Sequence, residues 1–185
     1  MLADRVVPLW ESSHELRIYS PFLIPGPVQT EAYIRALLVA VRDRRPNLTD
    51  DIDDAVQVRV ATQHVIHEGD HQFTIVLEEN VLRHQIGGAA VLREQLEHLR
   101  SAMSLPSVRL GIIPFSADRC VLHPVEMFFM HDDRQVNVEL VSGWLRVTQP
   151  SEIAMYADAF ARLSEMAVYG SAARALIGRA FDALG

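Results

Sequence analysis

Two adjoining stretches decide the fold class: residues 72–83, QFTIVLEENVLR, and residues 86–105, IGGAAVLREQLEHLRSAMSL. In the first stretch Phe73, Ile75 and Leu77 occupy alternate positions, and this period of two predicts a β-strand. The second stretch opens on a glycine pair and then has apolar residues at helical spacing, namely Leu92, Leu96, Leu99 and Met103. A strand followed closely by an amphipathic helix indicates a mixed α/β domain.

The chain continues this mixture on both sides. Apolar periodicity predicts two helices upstream, at 31–43 and 51–69, with Thr30 as a cap and Pro46 ending the first helix. Downstream it predicts three strand segments and then helices to the end of the chain, at 106–116, 124–132, 135–147, 150–170 and 171–185. We therefore predict one α/β (α+β) domain, with a small mixed or mainly antiparallel sheet flanked by helices and a helical C-terminus.

Composition narrows the class of protein. The chain has 185 residues, is 49% hydrophobic and carries a net charge of -7. This charge argues against non-specific nucleic-acid binding, which needs a basic face. The single cysteine excludes an internal disulfide, no apolar run is long enough for a membrane helix, and the N-terminus does not read as a signal peptide. We expect a cytoplasmic protein without membrane contact.

Histidine and cysteine patterns give weak signals. His64, His67 and His71 lie close in sequence, but their spacing meets no standard zinc pattern, so we predict no metal site. Cys120 and His123 invite comparison with a nucleophile and its base, yet such a pair needs contact in space, which closeness along a loop rarely provides. No nucleotide-binding or other cofactor motif is present, and we predict no cofactor.

Two glutamates stand in apolar strand patterns. Glu79 follows FTIVLE, and Glu139 lies inside VNVELV. Each either faces solvent or reaches inward to a partner, for which Arg83 and Arg146 are candidates, because a buried carboxylate needs an opposite charge or hydrogen bonds.

Residues 20–30, SPFLIPGPVQT, combine three prolines with one glycine directly before the first helix. Proline fixes backbone dihedral angles, so the segment is ordered before the helix starts. We hypothesise that it either forms the wall of a pocket or joins the domain to a DNA-binding module.

Five stretches, in this order and spacing, resemble a known family. It is the effector domain of unknown function found C-terminal to the helix-turn-helix in actinobacterial XRE-type transcriptional regulators, which include WhiJ-like and antitoxin-like proteins. The likeness covers about residues 16–182. The stretches are LIPGPVQTEAYIRALL (23–38), VLEENVLRHQIGGAAVLREQLEHL (76–99), LPSVRLGIIPFSA (105–117), VNVELVSG (136–143) and EIAMYADAFARLSEMAVYGSAARALI (152–177).

The resemblance implies a regulatory or sensor domain that binds a small molecule or a small partner protein. We assign residues 1–15 to an N-terminal lead-in and 16–185 to the effector domain. About fifteen residues are too few for a helix-turn-helix, so we expect no direct DNA binding by this chain. We also expect a homodimer. The candidate ligand-binding residues are Gln29, Tyr33, Arg83 and Gln95.

Two alternatives stay open. A stand-alone, cofactor-independent cyclase, isomerase or hydrolase of actinobacterial specialised metabolism would use acid–base chemistry. Glu79 or Glu139 would then be its base, with His123, Tyr33 or Arg83 polarising the substrate. A pure interaction module would instead expose an apolar face on the C-terminal helices, around AARALIGRAFDAL (172–184).

Overall fold

The computed structural model describes residues 9–44 and 51–185 and shows a six-stranded mixed sheet flanked by helices. The strands are β1 (Glu15–Ser20), β2 (Gln72–Glu78), β3 (Val108–Ile113), β4 (Phe128–His131), β5 (Gln135–Leu140) and β6 (Gly143–Val147). The main helices are α1 (Glu31–Arg44), α2 (Ile52–Ala61), α3 (Ala89–Ala102), α4 (Pro150–Met166) and α5 (Gly170–Asp182). Short 3-10 helices lie at Gly26–Val28, Thr62–Ile66 and Glu79–Arg83. The predicted fold class is confirmed.

The sheet has a parallel half and an antiparallel half. Its strand order is β3-β2-β1-β4-β5-β6. Strand β1 runs parallel to β2, pairing Ile18 with Ile75, and antiparallel to β4, pairing Ile18 with Phe129. Strand β2 is parallel to β3, whereas β4, β5 and β6 are joined as antiparallel neighbours. Strand β1 is therefore the junction between the two halves.

This central strand was missing from the predicted order. Its sequence, ELRIYS, is only six residues long and ends directly before Pro21. Leu16 and Ile18 do alternate with Arg17, but three alternating positions are too few to distinguish a strand from a loop. Because β1 is paired on both sides, its residues are more buried than a short polar-looking segment suggests.

Side chains on the two faces of the sheet form two cores. One face packs against α3 and α5 through Leu96 and Ile177, both fully buried. The other face packs against α4, where Phe160 and Leu163 meet Phe128 of β4. This division follows from the period-two alternation within each strand.

The C-terminal helix turns its apolar face inward. Ala173, Leu176, Ile177 and Ala180 of α5 are all buried in the first core. The prediction of an exposed apolar face around residues 172–184 is therefore wrong, because α3 and the sheet cover it.

The predicted start of the first helix agrees with the structure, whereas the predicted end of the second helix does not. Tyr33 N donates to Thr30 Oγ1 at 3.3 Å, which confirms the predicted cap of α1. The second helix was predicted to reach Gly69, but α2 ends at Ala61 and a 3-10 helix follows. The predicted helix end at Pro46 lies outside the described residues.

Two glutamine side chains, one of them buried, hold the proline-rich segment in place. Gln95 of α3 is fully buried, donates from Nε2 to the Val28 carbonyl at 2.8 Å and accepts from Thr30 N at 2.7 Å. Gln63 donates to the carbonyl oxygens of Gly26 and Gln29, at 2.7 and 2.8 Å. These side chains add hydrogen bonds to the few backbone ones that a segment with three prolines can make.

We predict that Gln95→Met lowers the free energy of unfolding by about 2–5 kcal/mol, because a side chain of similar size leaves two buried backbone groups unpaired. Chemical denaturation measures this loss. Gln57→Met, on the exposed face of α2, is the matched control and should change stability by less than about 0.5 kcal/mol. Equal stabilities of the two variants would contradict the structural role of Gln95.

Candidate functional site

A cavity of about 190 Å³ lies between the antiparallel half of the sheet, the α1–α2 pair and the proline-rich segment. An engineered cavity of about 150 Å³ in another protein holds benzene, so this one has room for a single ring with a small substituent. Most of its surface is apolar. The lining residues are Trp10, Leu23, Ile24, Pro25, Gly26, Gln29, Leu37, Val41, Arg59, Thr62, Met127, Phe129, His131, Asn137, Glu139 and Trp144.

The proline-rich segment supplies one wall. Leu23, Ile24, Pro25, Gly26 and Gln29 all line the cavity. A Cβ at Gly26 would lie 3.2 Å from the indole ring of Trp10, so glycine lets that ring pack against the wall. One of the two hypotheses for this segment, the wall of a pocket, therefore agrees with its position.

Both tryptophans of the chain line the cavity. Trp10 is only 7% exposed, and Trp144 packs against Phe129 with ring centroids 5.8 Å apart. Trp10 precedes the first strand, whereas Trp144 belongs to the last one. The tryptophan fluorescence of the protein thus reports on this cavity.

A chain of buried polar groups runs along the sheet side. Gln135 donates to Asn137 Oδ1 at 2.8 Å, and Asn137 Nδ2 lies 3.4 Å from His131 Nε2. On the other side of the imidazole, His131 Nδ1 is 3.3 Å from Ser13 Oγ, which itself donates to the Leu9 carbonyl at 2.6 Å. This pattern places the histidine proton on Nδ1 and leaves Nε2 as an acceptor.

His131 is neutral at physiological pH. Burial lowers its pKa to about 4, because it removes the imidazolium from water, and this outweighs the opposing effect of Asp132. The imidazole therefore contributes a neutral hydrogen-bonding ring to the cavity, not a cation.

Gln29 has an unused acceptor. Its side chain is 4% exposed, and Nε2 donates to the Ile24 carbonyl at 2.6 Å. This bond fixes the orientation of the amide, because a carbonyl only accepts. Its Oε1 is buried and has no hydrogen-bond donor among the residues described. An unpaired buried carbonyl oxygen costs free energy, so a ligand with a hydrogen-bond donor gains from meeting it.

Arg59 and Glu139 bring opposite charges to the same cavity. Burial lowers the pKa of Arg59, and the Glu139 carboxylate partly offsets this. Glu139 is partly exposed, but the protein around it buries its carboxylate from much of the water, and this burial raises its pKa. The Arg59 guanidinium lowers that pKa and so partly offsets the effect of burial. The interaction between them is electrostatic at a distance, not a direct ion pair.

Of the four predicted ligand-binding residues, Gln29 alone lines the cavity. Tyr33 is fully buried and accepts from Ile24 N at 3.4 Å, so it supports the cavity wall from behind. Gln95 likewise holds the wall from outside the cavity. Arg83 lies elsewhere, 3.6 Å from Glu79 in the 3-10 helix after β2.

Of the predicted catalytic residues, Glu139 alone lines the cavity. Glu79 is buried and accepts from Phe115 N at 2.9 Å, in addition to facing Arg83. His123 is exposed, with Nδ1 2.8 Å from the Pro124 carbonyl. Glu79 and His123 are thus not brought together with Glu139.

The weak histidine and cysteine signals do not converge on a site. No group of three His, Cys, Asp or Glu side chains in the described ranges is placed to hold a metal ion. Cys120 is exposed, and its hydrogen bond to Asp118 raises the pKa of the thiol, which is the opposite of an activated nucleophile.

Sequence reasoning missed most of the polar cavity residues. Arg59 lies on a helix with several charged and polar residues, where an arginine looks like an ordinary surface residue. His131 and Asn137 lie on strands, whose inward-facing positions are ordinarily apolar. Polar residues at the inward positions of β5, where Asn137 and Glu139 alternate with Val136 and Val138, were the available signal.

The sequence matches the profile of a family described as a domain of unknown function, DUF5753, over residues 4–179. The chain belongs to this family. No curated protein matches it.

Among solved structures, the chain is similar to one reported as "Structure of TrmBL2, an archaeal chromatin protein, shows a novel mode of DNA binding". The two are 9% identical, with a TM-score of 0.44, and the match covers 91% of this chain and 51% of that one. The chain thus spans about half the length of this neighbour. Within the described ranges, none of the DUF5753 helices combines the length and the apolar character that crossing a membrane requires.

We predict that acidification destabilises this DUF5753 domain through His131. A histidine titrates near pH 6.5 when unfolded, whereas His131 titrates near pH 4 in the folded state. Between these values the unfolded chain binds more protons, so the free energy of unfolding falls as the pH falls, by up to about 1.4 kcal/mol per pH unit. Denaturation at several pH values measures this slope.

The His131→Asn variant should show a flatter slope across this window, since asparagine does not titrate. His123→Asn, which removes an exposed histidine, should keep the slope of the unmodified protein. If His131→Asn retains the full slope, His131 is not the group responsible.

Proposed function

We propose that the domain is a regulatory sensor that binds a small, largely apolar molecule in the cavity between the sheet and the α1–α2 pair. The observation that carries the proposal is the apolar cavity of about 190 Å³, whose lining residue Gln29 has a buried, unpaired Oε1. Pockets with apolar walls and a few polar groups are typical of small-molecule sites.

The regulatory part of the proposal draws on the family resemblance. In actinobacterial XRE-type regulators of the WhiJ-like and antitoxin-like kind, such a domain accompanies a DNA-binding module and often a small partner protein. We propose that this chain has the same regulatory role, in the cytoplasm. A small partner protein is the alternative ligand class, and homodimer formation stays a prediction.

We predict that phenol binds in the cavity and saturably changes the tryptophan emission, because both tryptophans line it. Toluene has the same size and shape but no donor for Gln29 Oε1, so it should bind about tenfold more weakly. Fluorescence titration, with excitation where tryptophan alone absorbs, measures both affinities.

Val41→Phe fills part of the cavity and should weaken phenol binding, whereas Val121→Phe, an equal enlargement in an exposed loop, should not. Emission that stays constant with phenol and toluene, or equal binding by both valine variants, would count against the sensor site.

One observation favours the enzyme alternative. Glu139 has a raised pKa and lines the cavity together with the Arg59 guanidinium. A carboxylate of this kind acts as a general base, and a guanidinium stabilises an enolate oxygen. Acid–base chemistry on an aryl carbonyl compound is the reaction that this pair suits.

For the enzyme alternative we predict exchange of the benzylic protons of phenylacetone with deuterium in heavy water. Glu139 would take the proton, Arg59 would hydrogen-bond the enolate, and a deuteron would return after solvent exchange at the carboxyl group. Proton NMR follows the loss of the benzylic signal. Exchange at the buffer rate, or unchanged exchange in Glu139→Gln, would reject this second candidate.

A further inference from the structure

Arg59 of α2 and Glu139 of β5 face the same cavity without neutralising each other directly. Neither side chain has a hydrogen bond or a direct ion pair with any residue that the structure describes. Each nevertheless lies within the electric field of the other. Because both residues line one cavity of about 190 Å³ and form no ion pair with each other, a single small molecule in that cavity can contact both.

A molecule that carries both charges on neighbouring atoms fits such a gap. The ammonium and carboxylate groups of an α-amino acid are bonded to the same carbon atom. A guanidinium binds a carboxylate through two parallel hydrogen bonds. A glutamate carboxylate in turn accepts hydrogen bonds from an ammonium group. Arg59 and Glu139 together provide one partner for each end of a zwitterion.

The rest of the cavity has room for an apolar side chain. Ile24, Met127 and Phe129 are buried and line its interior, whereas Arg59 and Glu139 keep contact with solvent. A volume of about 190 Å³ accommodates one ring. The charged groups of an amino acid would thus stay near the open side, with its side chain directed inward.

We infer that the cavity recognises the zwitterion of an apolar or aromatic α-amino acid, with Arg59 binding the carboxylate and Glu139 the ammonium group. This inference rests on the proposed sensor function and names its ligand class. A simple anion would be repelled by Glu139, and a simple cation by Arg59, so the paired charges select against both.

Three probes of the same skeleton test this. L-phenylalanine carries both charges, 3-phenylpropanoate has only the carboxylate, and phenethylamine has only the ammonium group. Titration of the complete chain at neutral pH, followed by tryptophan emission, gives their affinities. We expect L-phenylalanine to bind about tenfold or more tightly than either singly charged probe.

Two variants assign each contact. Arg59→Gln should weaken the binding of L-phenylalanine and of 3-phenylpropanoate by about tenfold, but should not change the binding of phenethylamine. Glu139→Gln should weaken the binding of L-phenylalanine and of phenethylamine by a similar factor, but should not change the binding of 3-phenylpropanoate. Arg179→Gln and Glu97→Gln make the same charge changes at exposed helical positions outside the cavity and should leave all affinities unchanged.

The outcomes separate this inference from the proposed function. If 3-phenylpropanoate or phenethylamine binds as tightly as L-phenylalanine, the zwitterion is not the ligand class and the inference is overturned. If phenol binds and L-phenylalanine does not, the inference is also overturned, while the sensor site stands. If neither phenol nor any of the three probes changes the emission, the inference and the proposed function both fail.

Discussion

The hydrogen bonds of Gln95 are the constraint on which the cavity depends. Three prolines leave the segment before α1 without a regular backbone ladder, and one buried side-chain amide supplies an acceptor and a donor in its place. Gln63 fixes the same segment from the α2 side. Both glutamines hydrogen-bond to the segment and hold its inner surface rigid. The side chain of Gln29, which belongs to this segment, lines the cavity, and its Oε1 has no hydrogen-bond partner among the residues described.

The division of the sheet explains why the cavity lies where it does. Helices α3 and α5 cover the parallel half closely, with Leu96 and Ile177 fully buried against it. The antiparallel half extends beyond these two helices, and the α1–α2 pair approaches it without filling the space. Polar residues on the inward face of β5, Asn137 and Glu139, belong to this uncovered half. The same alternation that elsewhere forms a core here forms a polar cavity wall.

Local pattern was enough to predict the class of fold, because the strand beginning at Phe73 and the helix around Leu96 show their periods clearly. It was not enough for β1, whose burial comes from pairing on both sides and not from its own six residues. The site shows the same limit. Gln29 and Glu139 could be singled out because their neighbours in the sequence are unusual for a polar residue. Arg59 becomes a candidate only when the fold places α2 opposite β5, and this relation between distant parts of the chain leaves no trace in the local periodicity.

The distance along the chain between Trp10 and Trp144 has a consequence for synthesis. The cavity takes its walls from the segment before the first strand and from the last strand of the sheet. A growing chain that has left the ribosome only as far as α3 has the proline-rich wall but no surface opposite it. The cavity is complete only when the β5–β6 hairpin, which carries Asn137, Glu139 and Trp144, has joined the sheet. A ligand of the proposed kind would therefore bind and stabilise only chains whose sheet is complete.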